Sequence, residues 1–329
     1  LEWLKRRHGG ELPVGVVFVV EGEEEVGSPN MAPYVATMRD RLRADACVWE
    51  FGGVDAHDRP PLVSGLKGIA TVDLSVRTAD YDQHSGLGPV VQNAVWLMAA
   101  AVASLRDAEG RVLIDGFYDR VRPATEREAH YVDVAPREDD VVARQIGVER
   151  FLAGATGNEW QRRLQLEPVV NVNGLHGGYG GPGMKTVLPA TATAKLDFRL
   201  VPDQDPEEVV GLLRAHLDRH GFAAVETTLA ERPEHPSRVD PDHPWVRHAA
   251  AALEEAYGTP AVVTISSGGS GPLSPFVDEL GVPVIMIGVG YAEGRAHAPD
   301  ENVRWVDVER GTYATLRTIE RWAGLTPAG

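Results

Sequence analysis

The sequence has little cysteine, a deficit of positive charge and no long apolar run. Cys47 is its only cysteine, which excludes an internal disulfide and a cysteine-rich zinc site and favours a reducing compartment, the cytoplasm. Lysine and arginine number 32 against 48 aspartates and glutamates, a net charge of −16, which disfavours binding to nucleic acid or to an anionic membrane surface. No run approaches the roughly 18–20 apolar residues of a membrane span. We therefore predict a protein that acts on small molecules or peptides.

Length and glycine content indicate a turn-rich chain of two domains. The 329 residues include 35 glycines and 23 prolines, and the length is about twice that of a typical domain. Residues 1–7 are predicted to end a helix at Gly9 and Gly10. Residues 14–20, a run of Val and Phe, are predicted to form a strand covered on both faces within a mostly parallel sheet. Because no initiator Met is present and nothing precedes that helix, we expect the sequence to begin inside a fold, after an upstream segment.

Alternating helices and strands toward both ends of the chain predict one open α/β sheet. The helices are predicted at 29–43, 244–257 and 307–322, and the strands at 46–51, 261–266 and 282–289.

The middle of the chain predicts an inserted domain of another kind. Residues 69–77 and 193–200 alternate apolar and polar side chains, which is typical of antiparallel strands with one exposed face. The remaining elements are predicted as helices at 90–105 and 206–220 and strands at 169–172 and 223–229. The resulting β-α-β-β-α-β order is that of a small two-layer, ferredoxin-like α+β domain. Residues 115–165 are polar and carry no predicted element.

Two turn-rich stretches, 65–68 and 231–237, are the predicted crossings between the domains. We predict an α/β domain made of residues 1–66 and 237–329, and an inserted domain made of residues 67–236.

Acidic side chains follow the first predicted strand. The segment EGEEEVGS at 21–28 places four carboxylates at the carboxyl end of that strand, where ligands of open α/β sheets gather. The segment is either an acidic turn that caps the next helix or part of a metal site, because crowded carboxylates must be solvated, protonated or neutralised. Glu50 stands between Trp49 and Phe51, where a buried carboxylate needs a partner. His297 follows the last strand, and zinc accepts Asp, Glu and His together.

Candidate binding residues lie in the insert and in a glycine-rich loop. His84, in DQHSG, and His176, in a predicted glycine-rich loop at 171–181, are either ordinary histidines or groups that polarise a substrate carbonyl. Arg199 is either an exposed strand residue or a clamp for a carboxylate. Gly269 and Ser270, in SSGGSGP, offer backbone N–H groups at a predicted helix start.

Several motifs together give the sequence a family resemblance. They are EGEEEVGS, VWEFGG, DQHSG, GLHGGY followed by KTVLP, DFRLVP, GGSGP and GRAHAPDENVRW. In their order and spacing the sequence resembles the di-zinc exopeptidases and deacylases, a family that includes aminoacylase, carboxypeptidase G, acetylornithine deacetylase and the carnosine-type dipeptidases. The similarity spans essentially the whole chain and is strongest to the dipeptidase branch.

The resemblance implies a zinc metallopeptidase or amidohydrolase that cleaves an amide bond in a dipeptide or an N-acyl amino acid. It implies two zinc ions, with Co²⁺ or Mn²⁺ as alternatives. It also implies that residues 1–66 and 237–329 form the catalytic domain, and that residues 67–236 form a lid domain through which a homodimer assembles. The implied roles are general base for Glu24, zinc ligand for Glu25, Glu50 and His297, oxyanion stabiliser in the partner subunit's site for His84, and carboxylate clamp for Arg199.

One motif of the resembled family is missing from the sequence as it stands. Relatives carry an upstream His-x-Asp that supplies a ligand to the first zinc and the bridging carboxylate, and no such motif precedes Glu21. We therefore expect residues 1–329 to bind zinc weakly or not at all and to be inactive, whereas the intact protein is a hydrolase. The alternative is a metal-free, non-catalytic relative that binds or dimerises.

Overall fold

The computed structural model describes residues 1–325. Its α-helices are α1 (Glu2–Arg7), α2 (Met31–Met38), α3 (Ala94–Ala103), α4 (Glu126–Val134), α5 (Asp139–Ile146), α6 (Gly157–Leu166), α7 (Pro206–Arg219), α8 (Pro244–Tyr257) and α9 (Trp305–Trp322). Its strands are β1 (Cys47–Trp49), β2 (Gly53–Val54), β3 (Pro61–Val63), β4 (Gly65–Leu66), β5 (Gly68–Arg77), β6 (Gln83–His84), β7 (Val169–Gly177), β8 (Val187–Leu188), β9 (Thr191–Leu200), β10 (Glu226–Leu229), β11 (Ser237–Arg238), β12 (Val262–Thr264), β13 (Val284–Met286) and β14 (Gly290–Tyr291).

Strands β5, β7, β9 and β10 form the sheet of the insert. The strand order is β10-β5-β9-β7, and each of these pairings is antiparallel. Helices α3 and α7 contribute the apolar side chains that cover one face. This β-α-β-β-α-β arrangement confirms the predicted two-layer insert.

The two faces of the insert sheet differ because side chains alternate along each strand. Ala70, Val72 and Leu74 of β5 are buried in the cluster beneath the helices, whereas Thr71 and Asp73, which alternate with them, lie on the opposite face and are half-buried. Strands β5 and β9 pair along their whole length, with Ile69 opposite Arg199. Arg199 therefore lies on the face directed away from α3 and α7.

The second sheet is built from strands near both ends of the chain, in the order β1-β13-β3-β12. Parallel pairs join β1 to β13 and β3 to β12, and an antiparallel contact between Met286 and Val63 joins the two pairs. One apolar cluster includes α2 and another includes α8 and α9. The mostly parallel α/β sheet is confirmed. Strand β3 was absent from the sequence prediction because three residues are too few to show a period.

The two crossings between the sheets run side by side. Strand β4 pairs with β11 in antiparallel fashion, with Leu66 opposite Ser237 and Gly65 opposite Arg238. A Cβ atom on Gly65 would lie 2.7 Å from two backbone oxygens, so the close approach of the crossings requires glycine there.

Residues 14–20 do not form the predicted strand. They have no strand pairing in the described chain, and Val17, Phe18 and Val20 are exposed, Val20 by 88%. Val19 packs against an apolar cluster. A run of Val and Phe shows only that the side chains are hydrophobic. A strand that is covered on both faces also needs a neighbouring strand that forms hydrogen bonds with its backbone. None of the described strands supplies that neighbour.

Two other stretches differ from the sequence prediction. Residues 115–165 contain helices α4, α5 and α6, and a capping box between Thr125 and Glu128 starts α4. Strand β7 continues to Gly177 through residues predicted as a glycine-rich loop, with a bulge between Val172 and Gly174. Among residues 1–325, no helix combines the length and the apolar character needed to cross a membrane.

Candidate functional site

Two of the carboxylates at 21–25 hold the turn in which they lie. Ser28 Oγ donates to Glu21 Oε1 over 2.8 Å. Asn30 Nδ2 donates to the two carboxylate oxygens of Glu23 over 3.0 and 2.9 Å. Ser28 has a φ of 44°, a left-handed value that is uncommon outside glycine. Glu21 and Glu23 therefore have a structural role in the acidic turn.

Glu25 and His297 are brought together from distant parts of the chain. His297 Nδ1 lies 3.3 Å from Glu25 Oε2, and the two side chains are 76% and 74% exposed respectively. Arg295, His297 and Asp300 have φ values of 56°, 61° and 65°. Such residues cost free energy that the surrounding structure must offset, and they cluster at functional sites.

Hydrogen bonds close the loop that carries His297. Tyr291 Oη donates to Asn302 Oδ1 over 2.6 Å, and Asn302 N donates to the backbone oxygen of Gly294 over 2.9 Å. The strained backbone of His297 is thus enclosed within a loop whose ends are joined.

The pKa of Glu24, next to this pair, is raised above its ordinary value. Partial burial is the largest cause, followed by the negative charges of Glu25 and Glu21, and His297 opposes the rise. A carboxylate with a raised pKa is a better proton acceptor near neutral pH. The charges of Glu25, Glu21 and His297 therefore all act on the carboxyl group of Glu24.

The Glu25–His297 pair fits a divalent metal ion. Two ligands of a tetrahedral zinc ion, each about 2.0–2.1 Å from the metal, are roughly 3.3 Å apart. The carboxylate oxygen and the imidazole nitrogen have that separation, and both are zinc ligands by type. The donor set of this pair is therefore suited to zinc.

Glu50 does not complete a group of three ligands with that pair. It follows β1 and is exposed, so the burial expected of it beside Trp49 and Phe51 is wrong. Trp49 packs into an apolar cluster, whereas the neighbouring Glu50 side chain lies in solvent. No close group of three His, Cys, Asp or Glu side chains in residues 1–325 includes Glu25, Glu50 or His297.

Two close groups of ionisable side chains lie elsewhere among the described residues. They are Asp55 with His57 and Glu138, and Asp205 with Glu207 and His235. Arg59 already neutralises the first, with Nε 2.6 Å from Asp55 Oδ2 and Nη2 2.5 Å from Glu138 Oε1. In the second, Asp205 accepts a hydrogen bond from Glu208 N and caps α7. The first group thus has a neutralising cation, and one member of the second group has a structural role as a helix cap.

Arg199 joins the open face of the insert sheet to the glycine-rich loop. Its Nε donates to Asp197 Oδ1 over 3.1 Å, and its Nη1 donates to Ser270 Oγ over 3.0 Å. Gly269 N donates to Ser267 Oγ over 3.2 Å. The helix expected after this loop is only a π-helical turn at Pro275–Glu279, so the loop does not present N–H groups at the start of a long helix. Ser270 acts instead through its hydroxyl group, which contacts Arg199.

The two candidate histidines of the insert lie outside this arrangement. His84 is exposed on β6, and its Nδ1 accepts a hydrogen bond from Gly86 N over 3.0 Å. His176 is exposed on β7, opposite Thr193 of β9. The structure therefore groups Glu24, Glu25 and His297 at one place, and Arg199 with Ser270 at another.

Two ionisable residues in the linkers were absent from the sequence prediction. Lys67 is 4% exposed and donates from Nζ to the backbone oxygen of Glu167 over 2.7 Å, and burial lowers its pKa to about 8. Glu234 is half-buried, and burial followed by the charge of Glu24 raises its pKa to about 7. Both lie in turn-rich stretches, where neither a period nor a motif marks a residue.

Comparison with known proteins places the chain among peptidases. A family model described as "Peptidase dimerisation domain" matches residues 64–224. The crystal structure of an M20 family metallo-carboxypeptidase from Sulfolobus solfataricus superposes with a TM-score of 0.86 at 34% sequence identity, over 93% of this chain and 70% of that one.

Curated relatives are dipeptidases. The chain is 28% identical to the Beta-Ala-His dipeptidase of Rattus norvegicus, over 90% of this chain and 61% of that protein. It is 29% identical to the Cys-Gly metallodipeptidase DUG1 of Saccharomyces cerevisiae, over 92% of this chain and 65% of that protein. The chain thus spans less than two thirds of the length of these curated relatives.

Proposed function

The chain belongs to the M20 peptidase family, and from that premise we propose that the whole protein is a metal-dependent hydrolase of the amide bond in dipeptides, with N-acyl amino acids as the alternative substrates. The observation that carries the proposal is the Glu25–His297 pair, 3.3 Å apart and next to Glu24. The dipeptidase names of the curated relatives support dipeptides as the substrate class.

Zinc is the metal that we propose, as two ions in the intact protein, with Co²⁺ or Mn²⁺ as substitutes. Glu25 and His297 would hold one ion, and Glu50 would be a further ligand. Zinc, when bound, lowers the pKa of a coordinated water and polarises the scissile carbonyl.

Glu24 is the proposed general base. Its carboxylate takes a proton from the attacking water and delivers it to the amide nitrogen as the C–N bond breaks, so that the amine leaves neutral and the carboxylate is restored.

Arg199 is the proposed clamp for the substrate carboxylate. Its side chain is 30% exposed, and its guanidinium group is already oriented by Asp197 and Ser270, so little side-chain freedom is lost when a carboxylate binds. Gly269, Ser270 and His176 are proposed as further substrate contacts. A bidentate Arg–carboxylate contact would fix the distance between the carboxyl end of the substrate and the scissile bond.

The proposal also covers the domain limits, the oligomeric state and the cellular location of the protein. We propose the domain limits 1–66 with 237–329 and 67–236, a homodimer formed through the lid domain, and a role for His84 in the partner subunit's site. A cytoplasmic location fits the single cysteine, whose burial raises its thiol pKa to about 11 and leaves it unreactive.

Metal removal and one substitution test this function together. We expect the zinc-loaded whole protein to hydrolyse dipeptides, to lose activity when zinc is chelated, and to recover it when zinc is added back. Glu24→Gln should lower kcat by about 10²- to 10⁴-fold, because the general base is removed, while native mass spectrometry should show unchanged zinc content.

Glu23→Gln is the matched control, because an amide at position 23 can still accept from Asn30 and should leave kcat near its original value. If native mass spectrometry finds no zinc and no dipeptide is hydrolysed, the protein is a non-catalytic relative and the proposal is wrong. Activity that survives complete chelation would also contradict it.

A further inference from the structure

Glu234 lies in the same row of the insert sheet as Arg199. Glu234 N donates to Ile69 O over 3.0 Å, and Ile69 N donates to Glu234 O over 2.8 Å. Ile69 is in turn paired with Arg199. Directly paired residues of antiparallel strands have their side chains on the same face, so Glu234, Ile69 and Arg199 share the face directed away from the insert helices. With two strand spacings between them, the backbones of Glu234 and Arg199 are roughly 10 Å apart.

The same linker is attached to the loop that carries Glu24. Arg232 Nη1 donates to the backbone oxygen of Pro29 over 2.8 Å. The charges that act on the Glu234 carboxyl are those of Glu24, then Arg199, then Glu21. Glu234 is therefore within electrostatic reach of both the proposed general base and the proposed carboxylate clamp.

The carboxyl group of Glu234 has no hydrogen-bond donor among residues 1–325, although the residue is half-buried. Burial is the largest cause of its raised pKa, and the charge of Arg199 opposes the rise. Ile69, half-buried between Glu234 and Arg199, offers an apolar surface. A ligand side chain with a flexible apolar stem and a terminal cation would fit both residues, with the stem on Ile69 and the charge on Glu234. Lys and Arg have such side chains, because their stems are apolar and their ends are charged.

When the carboxylate of a dipeptide binds Arg199 and its scissile bond lies at Glu24, its C-terminal residue lies between Arg199 and Glu24. We propose that Glu234 is a specificity-determining residue that selects dipeptides with a Lys or Arg side chain at the C-terminal position. This inference rests on the proposed dipeptidase function and assigns its substrate class. The N-terminal amine is the other cation of a dipeptide, but it lies across the scissile bond from the residue held by Arg199.

A pair of nearly isosteric dipeptides tests the assignment in the zinc-loaded whole protein. Ala-Lys and Ala-norleucine have the same four-carbon stem and the same N-terminal amine, and only Ala-Lys carries the side-chain ammonium group. We expect kcat/KM for Ala-Lys to exceed that for Ala-norleucine by about tenfold or more. Glu234→Gln should reduce that ratio about tenfold through a loss on Ala-Lys alone.

Two further variants and one binding measurement sharpen the test. Glu231→Gln removes an exposed carboxylate from the same linker and should leave the ratio unchanged. Glu234→Lys should lower Ala-Lys hydrolysis further and favour Ala-Glu. L-lysine should inhibit Ala-norleucine hydrolysis more strongly than L-norleucine does, and Glu234→Gln should remove that difference.

The outcomes separate this inference from the proposed function. If the unsubstituted protein hydrolyses neither dipeptide, the dipeptidase proposal fails, and the inference fails with its premise. If Ala-norleucine is hydrolysed but Glu234→Gln leaves the ratio unchanged, only the inference is wrong. An equal loss on both dipeptides would also overturn it, because that result assigns Glu234 to the shared amine or to a structural role.

Discussion

At the scale of single residues, Glu128 shows how one carboxylate organises a domain crossing. Its side chain is 4% exposed, and Arg122 and Arg238 donate to it over 3.0–3.1 Å. Glu128 also accepts from Thr125 N and closes the capping box of α4. Because Arg238 belongs to β11, this carboxylate joins the insert helix to the linker.

The Glu128 cluster predicts acid-sensitive stability. Burial opposes ionisation, but hydrogen bonds from Arg122 and Thr125 and the charge of Arg238 outweigh it and lower the Glu128 pKa to about 2. A group with a depressed pKa in the folded state stabilises the fold above its unfolded-state pKa, near 4.5, and loses that contribution as the pH falls toward the folded-state value. The contribution is on the order of 3 kcal/mol at pH 7 and roughly half of that at pH 3.

Urea unfolding of Glu128→Gln at the two pH values measures this contribution. We expect the difference in unfolding free energy from the unsubstituted protein to shrink from about 3 kcal/mol at pH 7 to about 1.5 kcal/mol at pH 3. Glu126→Gln, an exposed change in the same first turn of α4, should cost only a few tenths of a kcal/mol at either pH. A difference that does not change with pH would show that the arginines do not depend on the ionised carboxylate.

At the scale of elements, the sheet that carries Glu50 depends on two backbones in unusually close contact. A Cβ atom on Gly288 would overlap the backbone oxygen of Gly52, and one on Gly53 would overlap the backbone carbonyl of Gly290. Beyond these contacts, β2 and β14 pair in parallel. The glycines thus allow the segment after Glu50 to approach the segment that leads to His297.

Gly288→Ala is expected to disrupt this approach. Because the atoms that its methyl group would meet belong to the backbone, no rotamer change relieves the overlap, and we expect a loss of about 3 kcal/mol or more in the free energy of unfolding. Gly211→Ala is the matched control: it lies within α7 with no atom within 4 Å of the added Cβ, and should stabilise the protein by about 0.5–1 kcal/mol. Equal thermal midpoints for the two variants would contradict this account.

The elements also show what a sequence pattern can and cannot predict. The alternation at 69–77 and 193–200 predicted β5 and β9 because one face of each strand is buried under helices and the other is not. The Val and Phe run at 14–20 was misleading because hydrophobicity does not specify a pairing partner. Gly-rich residues up to Gly177 form strand because β9 supplies their hydrogen bonds, and that partner is distant in sequence.

Candidate site residues that belong to sequence motifs could be predicted from the sequence. Residues that the fold alone brings near them could not. Glu25 and His297 were singled out from their motifs, and they lie 3.3 Å apart. Glu234 belongs to no motif, and it shares a row of the sheet with Arg199 only because its backbone pairs with Ile69. A cross-strand pairing of this kind depends on the whole fold, so no local sequence pattern marks it.

At the scale of the whole molecule, the location of His84 leads us to expect that activity depends on dimerisation. His84 lies on the insert, and its described hydrogen bond is local. Two apolar side chains that follow it in the sequence form exposed surface of the insert, with Val90 80% exposed and Trp96 74% exposed. Residues 64–224, which include this surface, match the peptidase dimerisation domain. We therefore expect His84 to act across a dimer interface.

Mixing two inactive variants tests that expectation. Glu24→Gln lacks the general base and His84→Ala lacks the lid histidine, so each homodimer should be nearly inactive. In a mixed dimer, the site of the His84→Ala subunit keeps Glu24 and receives the partner's intact histidine. Random exchange in an equal mixture should therefore restore about a quarter of the original activity per subunit, since half of the dimers are mixed and each has one complete site.

Control variants test whether the recovery of activity depends on association of the two subunits. Trp96→Lys in both variants should prevent recovery, because a charged side chain on the apolar surface opposes association, and sedimentation velocity should then show monomers. Trp305→Lys, which changes a tryptophan exposed to a similar extent on α9, should leave the dimer intact. If mixing restores no activity although mixed dimers form, His84 acts within its own subunit or not at all. If it does restore activity, neither site is complete without the partner, and the catalytic unit of this protein is the dimer.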